Sequence, residues 1–237
     1  MGAFGSFGGG NHVYGQMTNK DPVVFVHGYT GSAVRFVDQM NWLKMKGYDD
    51  TTLYATTYGY WTGSGTIQPT IECRYIKTIR ILIQAVHLFT NRPVNVISFS
   101  MGGAVSRKAI MGGVCVETGE DLGPPLTGII SNYIGIAGVM HGALFCDNYP
   151  FTSICNKING MRCNNNFMID INSKINYEGR RSFVIESTGD QVVGFQACGA
   201  HPSEFVGASI IRLDGFAHVD TYLKSFDLQY AIISGQM

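Results

Sequence analysis

Charged side chains are scarce in this sequence: Asp, Glu, Lys and Arg make up only 14% of 237 residues, and the two signs balance at 17 each. That balance removes the broad positive field a nucleic-acid or anionic-membrane binder needs. Long apolar runs are also missing. No stretch approaches the roughly 20 residues of a membrane-spanning helix, so no transmembrane segment is expected. The N-terminus has no basic start followed by an apolar core, and Met1 can simply replace a removed signal peptide. There are no Asn-x-Ser/Thr sequons and no CxxC pairs. N-glycans and a structural zinc site built on Cys155 and Cys163 are therefore not expected.

What is abundant is apolar: 45% of the chain is hydrophobic, enough for one sizeable core, and the length suits a single domain spanning residues 1–237. Residues 1–10 are Gly-rich with Phe4 and Phe7, and read as the start of an N-terminal arm, residues 1–20, that lies on the core. Gly2 meets a loose N-myristoylation pattern, which Gly-rich starts often meet by chance. The six cysteines, an even number, sit at 73, 115, 146, 155, 163 and 198. Three of them crowd one loop-like stretch, which favours disulfides and hence a secreted, extracellular protein. Six cysteines allow 15 pairings, and the sequence does not choose among them.

From Pro22 onward, short β-branched runs alternate with longer amphipathic segments, the pattern of an α/β fold with about six mostly parallel strands flanked by helices. Strands are expected at Val23–Val26, Thr52–Thr57, Val94–Phe99, Asn132–Ala137, Arg181–Ser187 and Ser209–Leu213. Helices are expected at Ser32–Lys46, ended by Gly47, and at Ile71–Phe89 and Met101–Met111. A closing helix follows from about Asp220 to Ile233. In the first helix Val34, Phe36, Val37, Met40, Leu43 and Met45 form a broad apolar stripe. The stretch from Gly138 to Gly179 breaks the pattern. It holds Cys146, Cys155 and Cys163 with one short helical candidate, Phe167–Ile171, and reads as a disulfide-stapled excursion beside the functional site.

The chemistry concentrates where the third strand meets its helix. Val94 to Phe99 runs straight into Ser100-Met101-Gly102-Gly103, the strand-turn-helix context of a nucleophile elbow with Ser100 at its apex. Residues two before and two after such an apex must be small. Gly102 meets the rule, and Ser98 stands where glycine is usual. The plainer alternative is an ordinary turn with a serine N-cap. After the first strand, His27-Gly28-Tyr29-Thr30-Gly31 can present the Tyr29 N–H to a developing oxyanion, with the Met101 N–H as second donor. His27 itself reads as ordering this loop.

Triads on this framework run nucleophile, acid, histidine along the chain. Asp190, just beyond a buried strand, fits the acid better than Glu186 inside that strand or Asp214 after the next. His218, after the last strand and before the last helix, fits the base better than His12, His87, His141 or His201. Met140, Val192 and Val219 flank these positions and are candidate walls of an apolar substrate pocket.

Pro22 to Gly28, Lys46-Gly47-Tyr48 with Leu53-Tyr54, Val96 to Gly103 and Ser187 to Val193 together resemble the class 2 lipase family. Asn11-His12, Cys73, Ser106 to Ile110, Gly112 to Cys115 and Cys198 look like its nematode branch. The resemblance implies an α/β-hydrolase fold, ester hydrolysis without a metal or organic cofactor, Ser100, Asp190 and His218 as triad, and Tyr29 with Met101 as oxyanion pair. The expected partner is a lipid or small ester, taken up from solution or at a lipid–water interface, by a monomer. The excursion is longer than in minimal bacterial members, which argues against a fully open site. Two other outcomes remain: acyl transfer on the same triad, and a non-catalytic binding protein that keeps the scaffold.

Overall fold

The structure, a computed structural model, describes residues 5–59 and 70–237. Gly2 and Phe4 lie outside them. In chain order the elements are β1 (Val23–Val26), α1 (Val37–Met45), β2 (Leu53–Ala55), α2 (Cys73–Thr90), β3 (Val94–Phe99), α3 (Met101–Met111), β4 (Ile130–Ile136), α4 (Phe145–Asn148), α5 (Asn166–Ile171), β5 (Arg181–Ser187), β6 (Ser209–Leu213), α6 (His218–Leu223) and α7 (Phe226–Ile233).

The strands form one six-stranded sheet in the order β2-β1-β3-β4-β5-β6, and all pairs are parallel. Strand residues alternate between its faces, as the two-residue period of a strand requires. Val24 and Val26 pack with Ile79 and Ile83 of α2 and Val105 and Ala109 of α3. Val23 and Phe25 pack with Leu43 of α1 and with Tyr222 and Ile232 from the C-terminal helices. Burial on both faces explains why β1 reads as an apolar run, whereas β6 at the sheet edge is largely exposed. The chain leaves β1 toward β2, then returns across β1 to place β3 on its other side. The C-terminal ends of β1 and β3 are therefore a switch point, where an open parallel sheet leaves a crevice.

Helix ends follow local chemistry. Asn91 ends α2 in the left-handed region at φ 50°, a position Asn tolerates, and Pro93 then blocks continuation. Gly47 follows α1 at φ 84°, as expected. The Asn165 side chain caps α5 by accepting from the Met168 N–H at 2.8 Å, a preferred N-cap arrangement.

Two expected helices differ. Ser32–Lys46 begins as one tight turn over Ala33–Phe36 before α1, which rotates Val34 and Met45 out to solvent and narrows the apolar stripe. The closing helix is two helices. Ser225 is buried and its hydroxyl turns back to the Tyr222 carbonyl at 3.1 Å, while the Gln229 amide donates to that hydroxyl at 2.8 Å. These side-chain bonds compete with the helical ladder and break it.

The arm lies on the sheet edge: Phe7 and Ala55 exchange backbone hydrogen bonds of 2.9 and 3.0 Å, covering part of an otherwise open β2. All six cysteines are paired, Cys73 with Cys115, Cys146 with Cys155 and Cys163 with Cys198. The excursion is also anchored to α3 by charge. Arg107 meets Glu178 at 2.8 Å and Lys108 meets Asp170 at 2.6 Å, with both cationic side chains buried. A buried pair of this kind is costly to break, because removing one partner strands the other charge.

Candidate active site

Ser100 joins β3 to α3 at φ 57° and ψ −129°, a conformation that non-glycine residues hold only when their surroundings fix it. Here the backbone does so. The Ser100 N–H donates to the Ile136 carbonyl at 3.0 Å, and its carbonyl accepts from Gly103 at 2.9 Å and Val139 at 3.1 Å. Gly102 is required by space: a Cβ there would sit 2.3 Å from the Val26 carbonyl oxygen. Ser98 fits in glycine's usual place because its hydroxyl is used, reaching the Ile134 carbonyl and the Tyr133 hydroxyl, both at 3.1 Å.

His218 opens α6 and faces Ser100. Its Nε2 lies 3.0 Å from the Ser100 Oγ, and its Nδ1 lies 2.8 Å from the Asp190 Oδ2. The other Asp190 oxygen accepts from the N–H groups of Val192 at 2.8 Å and Val193 at 3.0 Å. Burial alone would raise the Asp190 pKa. The hydrogen bond from His218, its charge and the two backbone donors outweigh burial and hold the carboxyl below the ordinary aspartate range. A carboxylate charged in this way fixes the tautomer and direction of the imidazole.

The loops that carry Asp190 and His218 are tied together. The Ser187 hydroxyl accepts from Gly189 at 3.2 Å and from Phe216 at 2.8 Å, and the Thr188 hydroxyl accepts from Gly215 at 2.9 Å. The competing acids are engaged elsewhere. Glu186 pairs with Arg212 at 2.8 Å, and Asp214 accepts from Thr188 at 2.6 Å. Of the other histidines, His12, His87 and His201 lie against the backbone carbonyls of Phe89, Arg92 and Phe195.

His27 orders the loop after β1. Its Nδ1 is 2.9 Å from the Gly28 carbonyl, its Nε2 accepts from the Tyr58 N–H at 3.1 Å, and its ring stacks on Tyr58 at 4.1 Å. This pattern is that of a neutral imidazole with the proton on Nδ1. Burial, the largest influence, lowers the His27 pKa to about 4. Gly28 lies against the nucleophile: a Cβ there would meet the Ser100 Cβ at 2.8 Å.

A cleft of about 290 Å³ opens over Ser100 and His218. Tyr29, Val192 and Val219 line it. Met140 does not. It is fully buried behind the cleft, where its Cε fills the room left by Gly103, Gly135 and Gly138. The Met101 side chain is buried in the core as well, so only its backbone can serve the site. As the first residue of α3, its N–H has no carbonyl one turn back to bond. Sequence reasoning missed Arg35, Phe99, Val139, Ala143, Phe145 and Met161, which also line the cleft. Phe99 was visible beside the nucleophile. Met161 is brought in by the folding of the excursion, for which no local pattern exists.

Among the described residues, Glu186, His201 and Glu204 bring potential metal-ligand atoms within 4.8 Å of one another. Arg212 already bonds both carboxylates, at 2.8 and 2.7 Å, and supplies the positive charge a metal would bring.

A parallel sheet carrying a strained serine at its switch point, backed by histidine and aspartate from the loops after β6 and β5, defines an α/β-hydrolase. The chain matches the lipase (class 2) family over residues 20–231. It belongs to the class 2 lipase family. No curated protein matches it. Solved structures share the fold. Lipase B of Aspergillus fumigatus superposes with a TM-score of 0.66 at 14% identity, covering 97% of this chain and 56% of that one. The mature lipase of Bacillus licheniformis gives 0.62 at 15% identity, covering 96% and 97%. A propionate-bound esterase of Thermogutta terrifontis gives 0.61 at 14%, covering 97% and 88%. The chain thus spans little more than half of the Aspergillus lipase.

Proposed function

We propose that this protein is a secreted serine hydrolase of carboxylic esters that acts on lipid or small ester substrates through an acyl-enzyme on Ser100. The observation that carries the reading is the continuous line of hydrogen bonds from the Ser100 Oγ through His218 to Asp190, at 3.0 and 2.8 Å. In this mechanism His218 takes the Ser100 proton as the oxygen attacks the ester carbonyl, and charged Asp190 stabilises the resulting imidazolium. The oxyanion develops toward the N–H groups of Tyr29 and Met101. His218 then returns the proton to the leaving alcohol. Water, deprotonated by the same histidine, releases the acid and restores the serine.

Secretion is supported by the pairing of every cysteine, since disulfides persist in oxidising surroundings. The pairing includes Cys73, Cys115 and Cys198 of the nematode-like pattern. Among the described residues no helix is long and apolar enough to cross a membrane. One copy supplies nucleophile, base, acid and oxyanion loop, so the protein is read as a single-domain monomer. The excursion forms a fixed wall rather than a mobile cover, because Cys163–Cys198 and the Arg107 and Lys108 ion pairs hold it. Simple saturation with soluble esters follows.

Hydrolysis of p-nitrophenyl esters from acetate to palmitate, without reductant, tests the reading. Wild type turns them over, and Ser100→Ala lowers the rate by roughly 10⁴-fold or more with the fold retained. Equal activity in both proteins would remove Ser100 as nucleophile. A folded wild type that neither hydrolyses esters nor reacts with a serine-directed phosphonate would favour a binding role.

A further inference from the structure

Among the residues that line the cleft, one carries a permanent charge: Arg35. It lies in the tight turn between the oxyanion loop and α1. Its guanidinium sits 5.7 Å over the Phe99 ring, and that ring is 4.8 Å from the imidazole of His218. Arg35 is thereby held at the histidine side of the nucleophile by a cation–π contact.

None of the ion pairs among the described residues includes Arg35, although Asp38 lies one turn along the same segment. Residues 1–4 and 60–69, outside the described set, contain no Asp or Glu. The rest of the lining is almost wholly apolar, with Val139, Ala143, Phe145 and Met161 on the excursion side. A neutral triacylglycerol or alkyl ester offers nothing to this guanidinium and removes water from it, which is unfavourable. A carboxylate or phosphate offers two oxygens that can accept in parallel from the planar guanidinium. Arg35 is exposed at the rim of the cleft, so the attraction is that of a partly solvated pair beside an apolar wall.

We propose that Arg35 is a specificity-determining residue that binds an anionic group, phosphate or carboxylate, on the ester substrate while the acyl chain lies along the apolar wall of Ala143, Phe145 and Met161. The proposal rests on the ester-hydrolase reading above and adds the class of substrate. Such a substrate is a single-chain acyl ester whose alcohol carries a negative charge.

The test uses three soluble esters below their micelle concentrations: 1-octanoylglycerol, 1-octanoylglycerol 3-phosphate and the octanoyl ester of glycerate. Each is assayed with wild type, Arg35→Gln, Arg35→Lys and Arg35→Glu. In wild type, kcat/KM for the anionic esters exceeds that for the neutral ester by about 5- to 10-fold, the effect of one partly solvated charge-assisted contact. The ratio falls to about one in Arg35→Gln, is partly kept in Arg35→Lys, inverts in Arg35→Glu, and shrinks in wild type as salt rises. A larger ratio for phosphate or for glycerate identifies which anion the site prefers. A merely structural Arg35 would lower all three rates together. An unchanged ratio in Arg35→Gln, or a wild type that hydrolyses all three esters equally, overturns the proposal alone. A wild type that hydrolyses none overturns the hydrolase reading and this proposal with it.

Discussion

Two glycines beside Ser100 constrain different things. At Gly102 an added Cβ meets the Val26 and His27 carbonyl oxygens at 2.3 and 2.5 Å, backbone atoms that cannot rotate away. At Gly28 the nearest atoms are the Ser100 Cβ at 2.8 Å and the Phe99 carbonyl oxygen at 3.2 Å, so an added Cβ there presses on the nucleophile itself. Gly102→Ala is therefore expected to destabilise the protein by about 2–3 kcal/mol, despite alanine's higher helix propensity. Gly28→Ala is expected to lower the urea-derived stability by about 1 kcal/mol, less than Gly102→Ala, and to reduce kcat by 10- to 100-fold, the scale of a displacement of about 1 Å at a reacting atom. Urea unfolding beside ester turnover separates the two, and equal effects on both quantities in the two variants would refute this division. Ser100, Asp190 and His218 could be singled out as candidates from the sequence because chain order and strand context both constrain them, and the fold brings the three together. Their mutual bonds could not be read there, nor could the lining residues supplied by the excursion, because a non-repeating loop leaves no periodicity to follow.

The excursion behaves as an element because covalent and ionic ties replace regular secondary structure. Cys163–Cys198 joins it to the segment after Val193, and the Ala143 N–H donates to the Met161 carbonyl at 2.9 Å, pairing two cleft residues. The bridge closes 35 residues, whereas Cys146–Cys155 closes nine. Loop-closure entropy gives about 4 kcal/mol for the former and about 3 for the latter. Replacing Cys163 and Cys198 together by alanine is expected to lower the urea-derived stability by a few kcal/mol and to reduce turnover of long-chain esters more than of acetate, because the wall loosens. A uniform loss along the chain-length series would detach the wall from substrate choice. The pairing itself was not legible, since spacing does not reveal which segments meet. The ranges of β1, β3, α3, β5 and β6 were, because each has a short core of β-branched or apolar residues with Gly, Pro or polar residues near its ends. The split between α6 and α7 was hidden because Ser225 and Gln229 act through side-chain bonds that periodicity does not register.

For the whole molecule, the buried titratable groups set a pH window. His27, at about 4, lies below the ordinary histidine value of 6.5. Between those values the unfolded chain binds a proton that the folded chain excludes, so stability falls as pH drops from 6.5 toward 4. The full His27 effect is about 3 kcal/mol. Asp190, held below its ordinary value of 3.8, adds stability that is lost at still lower pH. On the alkaline side burial raises the pKa of Tyr133 to about 12 and pushes Tyr58, Tyr177 and Tyr222 higher. The unfolded chain then releases protons first, and stability falls as pH rises beyond the ordinary tyrosine value of 10. The melting temperature is therefore expected to plateau between about pH 6.5 and 10 and to decline on both sides. His141, whose pKa burial also lowers, acts in the same direction, so His27→Gln should make the decline between pH 6.5 and 4 shallower without abolishing it, while leaving the alkaline limb in place. An acid limb equally steep in that variant would move its origin away from His27 to His141 or the carboxylates.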